Sequence, residues 1–165
     1  VLGDLVVTGD HGPQPLRSTG SRRTAATGAC APIRLRPGVL HGLERDLLVS
    51  PRHRVLFEGY RAQLLFGENE VLVAARHLVD GRDVTIEEGG EVTYVHLLFD
   101  AHEIVTAEGA ETESFLPGLR GIIGLDGPSR ARLLDACPGL RSMPDSWGPA
   151  ARPTLREHEA RALFA

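Results

Sequence analysis

The chain has 165 residues, a formal net charge of −4, and 42% hydrophobic against 24% charged residues. That is the balance of one globular domain, long enough to bury a core without disulfide or metal staples, and its mild acidity argues against nucleic acid or an anionic membrane as a partner held by bulk charge. All 18 basic residues are arginine, which excludes Schiff-base chemistry on a lysine of this chain, and no apolar run approaches the length of a membrane-spanning helix.

The 19 glycines and 11 prolines punctuate the chain often, as many short strands require. Leu5–Thr8 reads as a strand and Asp10-His11-Gly12-Pro13 as a turn. Residues 33–38 alternate Ile33 and Leu35 with Arg34 and Arg36, the period-two mark of a half-buried strand. Residues 46–49 and 54–57 predict strands on either side of Ser50-Pro51-Arg52-His53, where proline argues for a bend. Further strands are expected at 61–66 and 71–74. Residues 82–87 and 92–99 flank Glu88-Gly89-Gly90-Glu91, a hairpin signal. A last strand is expected at 103–107.

After Ser114 the character changes. Asp126-Gly127-Pro128-Ser129 predicts a helix start, with Leu133 and Leu134 on the apolar face and Cys137-Pro138-Gly139 at its end. Residues 143–153 read as a loop anchored by burial of Trp147, and 155–163 as a short helix. The division this suggests is a β domain over residues 1–118 and a helical or looped extension over 119–165, either a strap on the sheet or a linker to a downstream segment. Cys30 and Cys137 are too far apart in sequence to form a disulfide framework.

Two phrases repeat. LLVSPRHRVLFEG begins at Leu47 and LLFDAHEIVTAEG at Leu97. Each runs two leucines, an apolar residue, a side-chain oxygen (Ser50, Asp100), a histidine (His53, His102), a short apolar run and Glu-Gly. Imidazole titrates near neutrality, so a histidine beside an oxygen ligand at a strand end suits proton transfer. On a regular strand Asp100 and His102 would share a face, letting the carboxylate orient the imidazole. The structural alternatives are a histidine capping a strand end in a Ser-Pro turn, and a solvated pair at a rim. His96, Asp100 and His102 together would make a minimal metal set, but no CxxC or HExxH spacing supports one, and no metal or cofactor is expected. His11, His41, His77 and His158 sit among turn or edge residues and read as structural or exposed.

These motifs carry a resemblance to Hint domains, the autoprocessing modules of hedgehog proteins and inteins, in a bacterial branch. LLVSPRHRVLF resembles their T-x-x-H block, with Ser50 in the threonine position. HEIVTAEGAETESF resembles the C-terminal block: His102, then Gly109 seven residues on and Ser114 twelve residues on, in the place of a downstream nucleophile. LGDLVVTGDHG resembles the segment after the N-terminal block. The resemblance implies an all-β, horseshoe-like fold of short antiparallel strands with pseudo-two-fold symmetry and a C-terminal helical extension. It implies self-cleavage of a precursor by an N-to-S or N-to-O acyl shift, with Ser50, His53, Asp100, His102 and Ser114 as site residues. The substrate is then the protein's own precursor chain, no cofactor is needed, and turnover is single.

In the family the first nucleophile, Cys or Ser, lies on a strand upstream of the Gly-Asp turn, here Gly3-Asp4. It is expected before Val1, so the chain as given should cleave nothing by itself. Glu113 stands where inteins need asparagine, which argues for N-terminal cleavage and against complete splicing. The competing reading is a non-catalytic Hint scaffold serving secretion, surface presentation or partner binding.

Overall fold

A computed structural model describes residues 2–164. The strands are β1 (Leu5–Thr8), β2 (Gly12–Pro15), β3 (Ser18–Ala25), β4 (Ile33–Leu35), β5 (Leu47–Val49), β6 (Arg54–Glu58), β7 (Glu70–Ala74), β8 (Val84–Ile86), β9 (Glu91–Leu98), β10 (Ile104–Ala107) and β11 (Ala110–Glu113). The helices are α1 (Tyr60–Phe66), α2 (Leu119–Gly124), α3 (Gly127–Ala136) and α4 (Glu157–Phe164). The chain is thus mostly strand in antiparallel sheets, the all-β class expected, with a few short helices. It divides into two compact units interleaved in sequence: Val1–Thr24, Thr93–Val105 and Ser114–Ala151 form the first, and Ala25–Val92, Thr106–Glu113 and Arg152–Ala165 the second.

In the first unit β1 and β2 form a tight antiparallel hairpin, from Leu5 opposite Pro15 to Thr8 opposite Gly12. Thr8 also pairs with Val105 of β10. Strand β3 pairs with β9. Asp126 caps α3 as its sequence predicts, accepting the Ser129 N–H at 2.7 Å, with proline in the first turn. That amide contact, with the Ser129 and Ser21 hydroxyls, holds the Asp126 carboxyl below the usual range. Leu133 of α3 packs with Leu98, Ile122, Leu125 and Leu140, and Trp147 lies against that cluster. Cys137 ends the helix. Burial, with the charge of Asp100, pushes its thiol up and so disfavours the nucleophilic thiolate.

In the second unit β4 runs between β5 and β8, with Ile33 opposite both Val49 and Ile86. Ile33 and Leu35 are buried, as their alternation with arginine predicts. The expected hairpin around Gly89-Gly90 does not form. The backbone groups of those glycines bond to Ala26, Gly89 N–H to its carbonyl at 2.9 Å and its N–H to the Gly90 carbonyl at 3.1 Å. Strands β8 and β9 therefore find other partners, β4 and β3.

A second correction concerns 61–66, which is helix α1 and not a strand. Ala62, Gln63, Leu64 and Leu65 are good helix formers, and Gly67 ends the helix in the left-handed region (φ 73°), its N–H returning to the Gln63 carbonyl. Strands β6 and β7 pair along their whole length, and β11 joins β6 with Thr112 opposite Val55. The C-terminal segment is built into this unit. Leu72 donates to the Pro153 carbonyl at 2.8 Å and accepts from Leu155 N–H at 2.9 Å, a parallel bridge on β7. Leu155, Ala160 and Leu163 then enter the core formed by Val55, Val71 and Val73.

Gly109, the glycine of the second repeated phrase, has a structural reason. Its φ is +89°, and a Cβ there would lie 2.1 Å from the Gly42 carbonyl oxygen; a Cβ on Gly42 would lie 2.4 Å from that of Gly109. Both neighbours are backbone and cannot rotate away. Gly109→Ala is expected to destabilise the second unit by more than about 1–3 kcal/mol, the usual cost of a strained backbone position alone. An unchanged chemical-denaturation midpoint would show that the close approach does not exist in solution.

Candidate functional site

The first repeated phrase builds a strand, a bend and a strand in the second unit. Ser50 follows β5, half-buried, and its carbonyl accepts the His53 N–H at 3.0 Å. Pro51 has no N–H to give a ladder; its carbonyl accepts from Arg76 N–H at 3.0 Å. The His53 carbonyl accepts from Ala75 N–H at 2.9 Å. A single helical turn, Ala75–His77, thus pins both ends of the bend. The next residue is held twice by Glu113: Arg54 N–H donates to Oε1 at 2.9 Å and its guanidinium Nη1 to Oε2 at 3.0 Å. Glu113 is 10% exposed, so this charge-assisted clamp is largely sheltered from water. His53, half-buried, is therefore carried on backbone fixed from both sides.

His77, two residues beyond the Ala75 amide, has its own consequence. Arg76 Nε donates to its Nε2 at 3.0 Å, so the neutral ring carries its proton on Nδ1, a buried atom without a hydrogen-bond partner. Burial pushes this imidazole below its ordinary value; Arg76 and Arg161 push the same way and Glu157 opposes them. Because the folded value is depressed, the unfolded chain binds more protons, and stability rises with pH through this range. The contribution is present above the unfolded value of about 6.5 and is lost as pH falls through it toward the folded value. The melting temperature of the second unit is expected to drop on acidification through that window, and less steeply in His77→Leu. Identical slopes in the two proteins would remove His77 as the cause.

The second repeated phrase also yields a strand, a bend and a strand, in which residues 99–103 lie outside β9 and β10. Strand parity therefore does not apply, and the expected shared face is lost: Asp100 is exposed and His102 is buried, at 4%. Arg17 grips Asp100 bidentately, Nε to Oδ1 at 2.9 Å and Nη2 to Oδ2 at 2.6 Å. This pairing holds the Arg17 guanidinium above its ordinary value. His102 Nδ1 accepts the Ala151 N–H at 2.9 Å. A neutral His102 therefore carries its proton on Nε2 and acts there as a donor.

Ser114 is buried and clamps the same bend. Its Oγ accepts the Glu103 N–H at 2.9 Å, and its N–H donates to the Glu103 carbonyl at 2.8 Å. Glu103 itself is 3% exposed, and both its carboxylate oxygens face His11 Nδ1, at 3.1 and 3.0 Å. Sequence reasoning passed over this pair, and it read Glu113 only as the residue in the asparagine position, without its clamp on Arg54. Glu103 follows His102 directly, yet nothing in the sequence marks a partner 92 positions away. Among the described residues no group of three or more His, Cys, Asp and Glu side chains is placed to hold a metal ion. His96 packs its ring against Phe115, centroids 4.9 Å apart. Nor is any described helix long and apolar enough to cross a membrane.

The structure thus brings Ser50 and His53 together on one pinned bend, and Asp100, His102 and Ser114 around another. The Hint domain family matches the chain over residues 1–119. No curated protein and no solved structure matches it.

Proposed function

Because the chain belongs to the Hint domain family, we propose that it is the self-processing domain of a larger precursor, acting by an N-to-S or N-to-O acyl shift. A thiol or hydroxyl supplied from upstream of Val1 attacks the carbonyl carbon of the residue before it. The C–N bond breaks, the nitrogen leaves with a proton, and a thioester or ester remains. His53 gives that proton, since an amide nitrogen departs only when protonated. Ser50 adds a hydrogen bond to the same peptide. Transfer to water or another acceptor then releases the upstream segment.

The observation that carries this reading is the double fixation of the His53 backbone, by the Ala75 amide on its own carbonyl and by Glu113 on the next residue. Such rigidity is what a proton donor needs to act in a fixed geometry. In the release step His102 supplies its Nε2 proton to developing negative charge. Arg17 with Asp100, and the Ser114 contacts with Glu103, hold the bend that carries it. Glu113, spent on Arg54, offers no amide side chain for cyclisation, so release by cleavage and not by splicing is the outcome this site favours.

The test is the full-length precursor incubated with and without a small thiol. Thiol-accelerated release of the upstream segment, at a bond just before a Cys or Ser, supports the reading. A precursor that stays intact under both conditions contradicts it and favours a non-catalytic scaffold.

A further inference from the structure

Within the second unit, helix α4 and the bend that carries His53 meet at one turn, Ala75–His77. The register of β6 with β7 sets Arg54 opposite Ala74, so His53 falls opposite Ala75, the first residue of that turn. The Ala75 and Arg76 amides hold the His53 and Pro51 carbonyls. The same turn packs against α4, and Ala75 and Leu78 share one core with Leu155, Ala160 and Leu163.

The geometry at His77 suits a neutral ring. Nε2 accepts from Arg76 Nε at 3.0 Å, and Nδ1 is buried without a hydrogen-bond partner. A proton added at Nε2 would set a second donor against the Arg76 donor and turn that bond into a repulsion. It would also create a cation whose Nδ1–H has no acceptor, a costly charge to shelter from water. Among the described residues, the charged groups that act on the ring are Arg76 in its own turn and Glu157 and Arg161 of α4; the arginines repel the added proton and Glu157 attracts it. On the bend the ionisable groups are Arg52, which stays charged, and His53. Protonated His53 is the donor in the acyl shift, so its own titration favours the reaction on acidification.

We infer that His77 is a positioning residue for the acyl shift: its neutral ring seats the Ala75–His77 turn on α4, and the seated turn holds His53 in place for proton donation. The inference rests on the acyl-shift reading above. Protonation of His77 unseats the turn, the Ala75 and Arg76 amides slip from the bend, and His53 loses its fixed geometry while the chain stays folded. Local opening of this kind costs less than global unfolding, and a misplacement of about 1 Å can slow a reaction by about a hundredfold. His77 itself touches no reacting atom. Mild acid thus slows processing through a helix that lies outside the matched family region, residues 1–119.

The experiment follows hydroxylamine-dependent release from the full-length precursor, from about pH 7.5 down to about pH 5, the range in which an imidazole changes charge. Circular dichroism at each pH restricts the comparison to folded protein, so a residue that only stabilises the fold would leave the rates unmoved. Each variant's rate is divided by the wild-type rate at the same pH, which cancels the titrations of hydroxylamine and of the upstream nucleophile. His77→Leu cannot take up the proton, so its ratio should rise about threefold or more as pH falls. Glu157→Gln and Arg161→Gln change exposed side chains of α4 and leave the turn intact. Glu157→Gln makes His77 harder to protonate and should raise the ratio on acidification; Arg161→Gln should lower it. A His77→Leu ratio that stays constant with pH, or Glu157→Gln and Arg161→Gln ratios that stay flat or move in the same direction, overturns the inference and leaves the acyl shift standing. A wild-type precursor with no hydroxylamine-sensitive bond overturns both.

Discussion

Removal of residues 152–165 is expected to abolish cooperative folding of the second unit. The segment buries Leu155, Ala160 and Leu163 in its core, and the Phe164 ring meets Phe57 edge-on, centroids 4.7 Å apart. Two buried leucines contribute about 1.5–3 kcal/mol each, and an aromatic pair about 0.5–1.5 kcal/mol. The two hydrogen bonds of the Leu72 bridge add about 1 kcal/mol each. The total is on the order of 6 kcal/mol, comparable with the whole stability of a small domain. Without the segment, β7 also exposes an unpaired edge that invites association with other chains. Denaturant titration and amide exchange at Val71–Val73 read the effect directly, and Leu155→Ala gives a graded version, expected to cost about 2–5 kcal/mol. A truncated protein with an unchanged midpoint would mean that the segment is a tether lying on the surface. The matched family region ends at residue 119, so in this chain part of the core is supplied by sequence outside that region.

In a full-length precursor, His53→Ala is expected to slow segment release by about 10²–10⁴-fold, the range for loss of a positioned acid. The loss should appear in the hydroxylamine-dependent reaction as well, since His53 acts before the ester or thioester exists. Because the bend is pinned through backbone atoms of Ser50, Pro51 and His53, the substitution leaves those contacts available. An unchanged melting temperature would confirm that the lost activity is chemical. Release at the wild-type rate in His53→Ala would exclude its assigned role.

The repeated phrases were the legible part of this chain. Apolar triplets, a turn-forming residue and a Glu-Gly end produced strand, bend and strand twice, and Ile33 and Leu35 announced a buried strand face. Residues 61–66 misled because Leu64-Leu65-Phe66 is a short apolar run that fits a strand or a helix; the flanking Gly59 and Gly67 carried the deciding signal. Strand β3 was illegible for the opposite reason: its inward residues Ser18 and Gly20 are small, so no apolar alternation marks it. At the site, Ser50 and His53 could be named from the sequence because their pairing is local. The Glu113 clamp on Arg54 spans 59 positions and the His11–Glu103 pair spans 92, and no local pattern encodes either. Asp100 and His102 were read as sharing a strand face, whereas the chain between Leu98 and Ile104 is a bend that turns one outward and one inward.

The most direct measurement is intact mass spectrometry of the segment released when full-length precursor is treated with hydroxylamine at neutral pH. A single product ending in a hydroxamate, at the residue before the upstream Cys or Ser and absent from His53→Ala, is the predicted result. A product ending only in a carboxylate at scattered positions, or the same hydroxamate in undiminished yield from His53→Ala, would contradict an acyl shift assisted by that histidine.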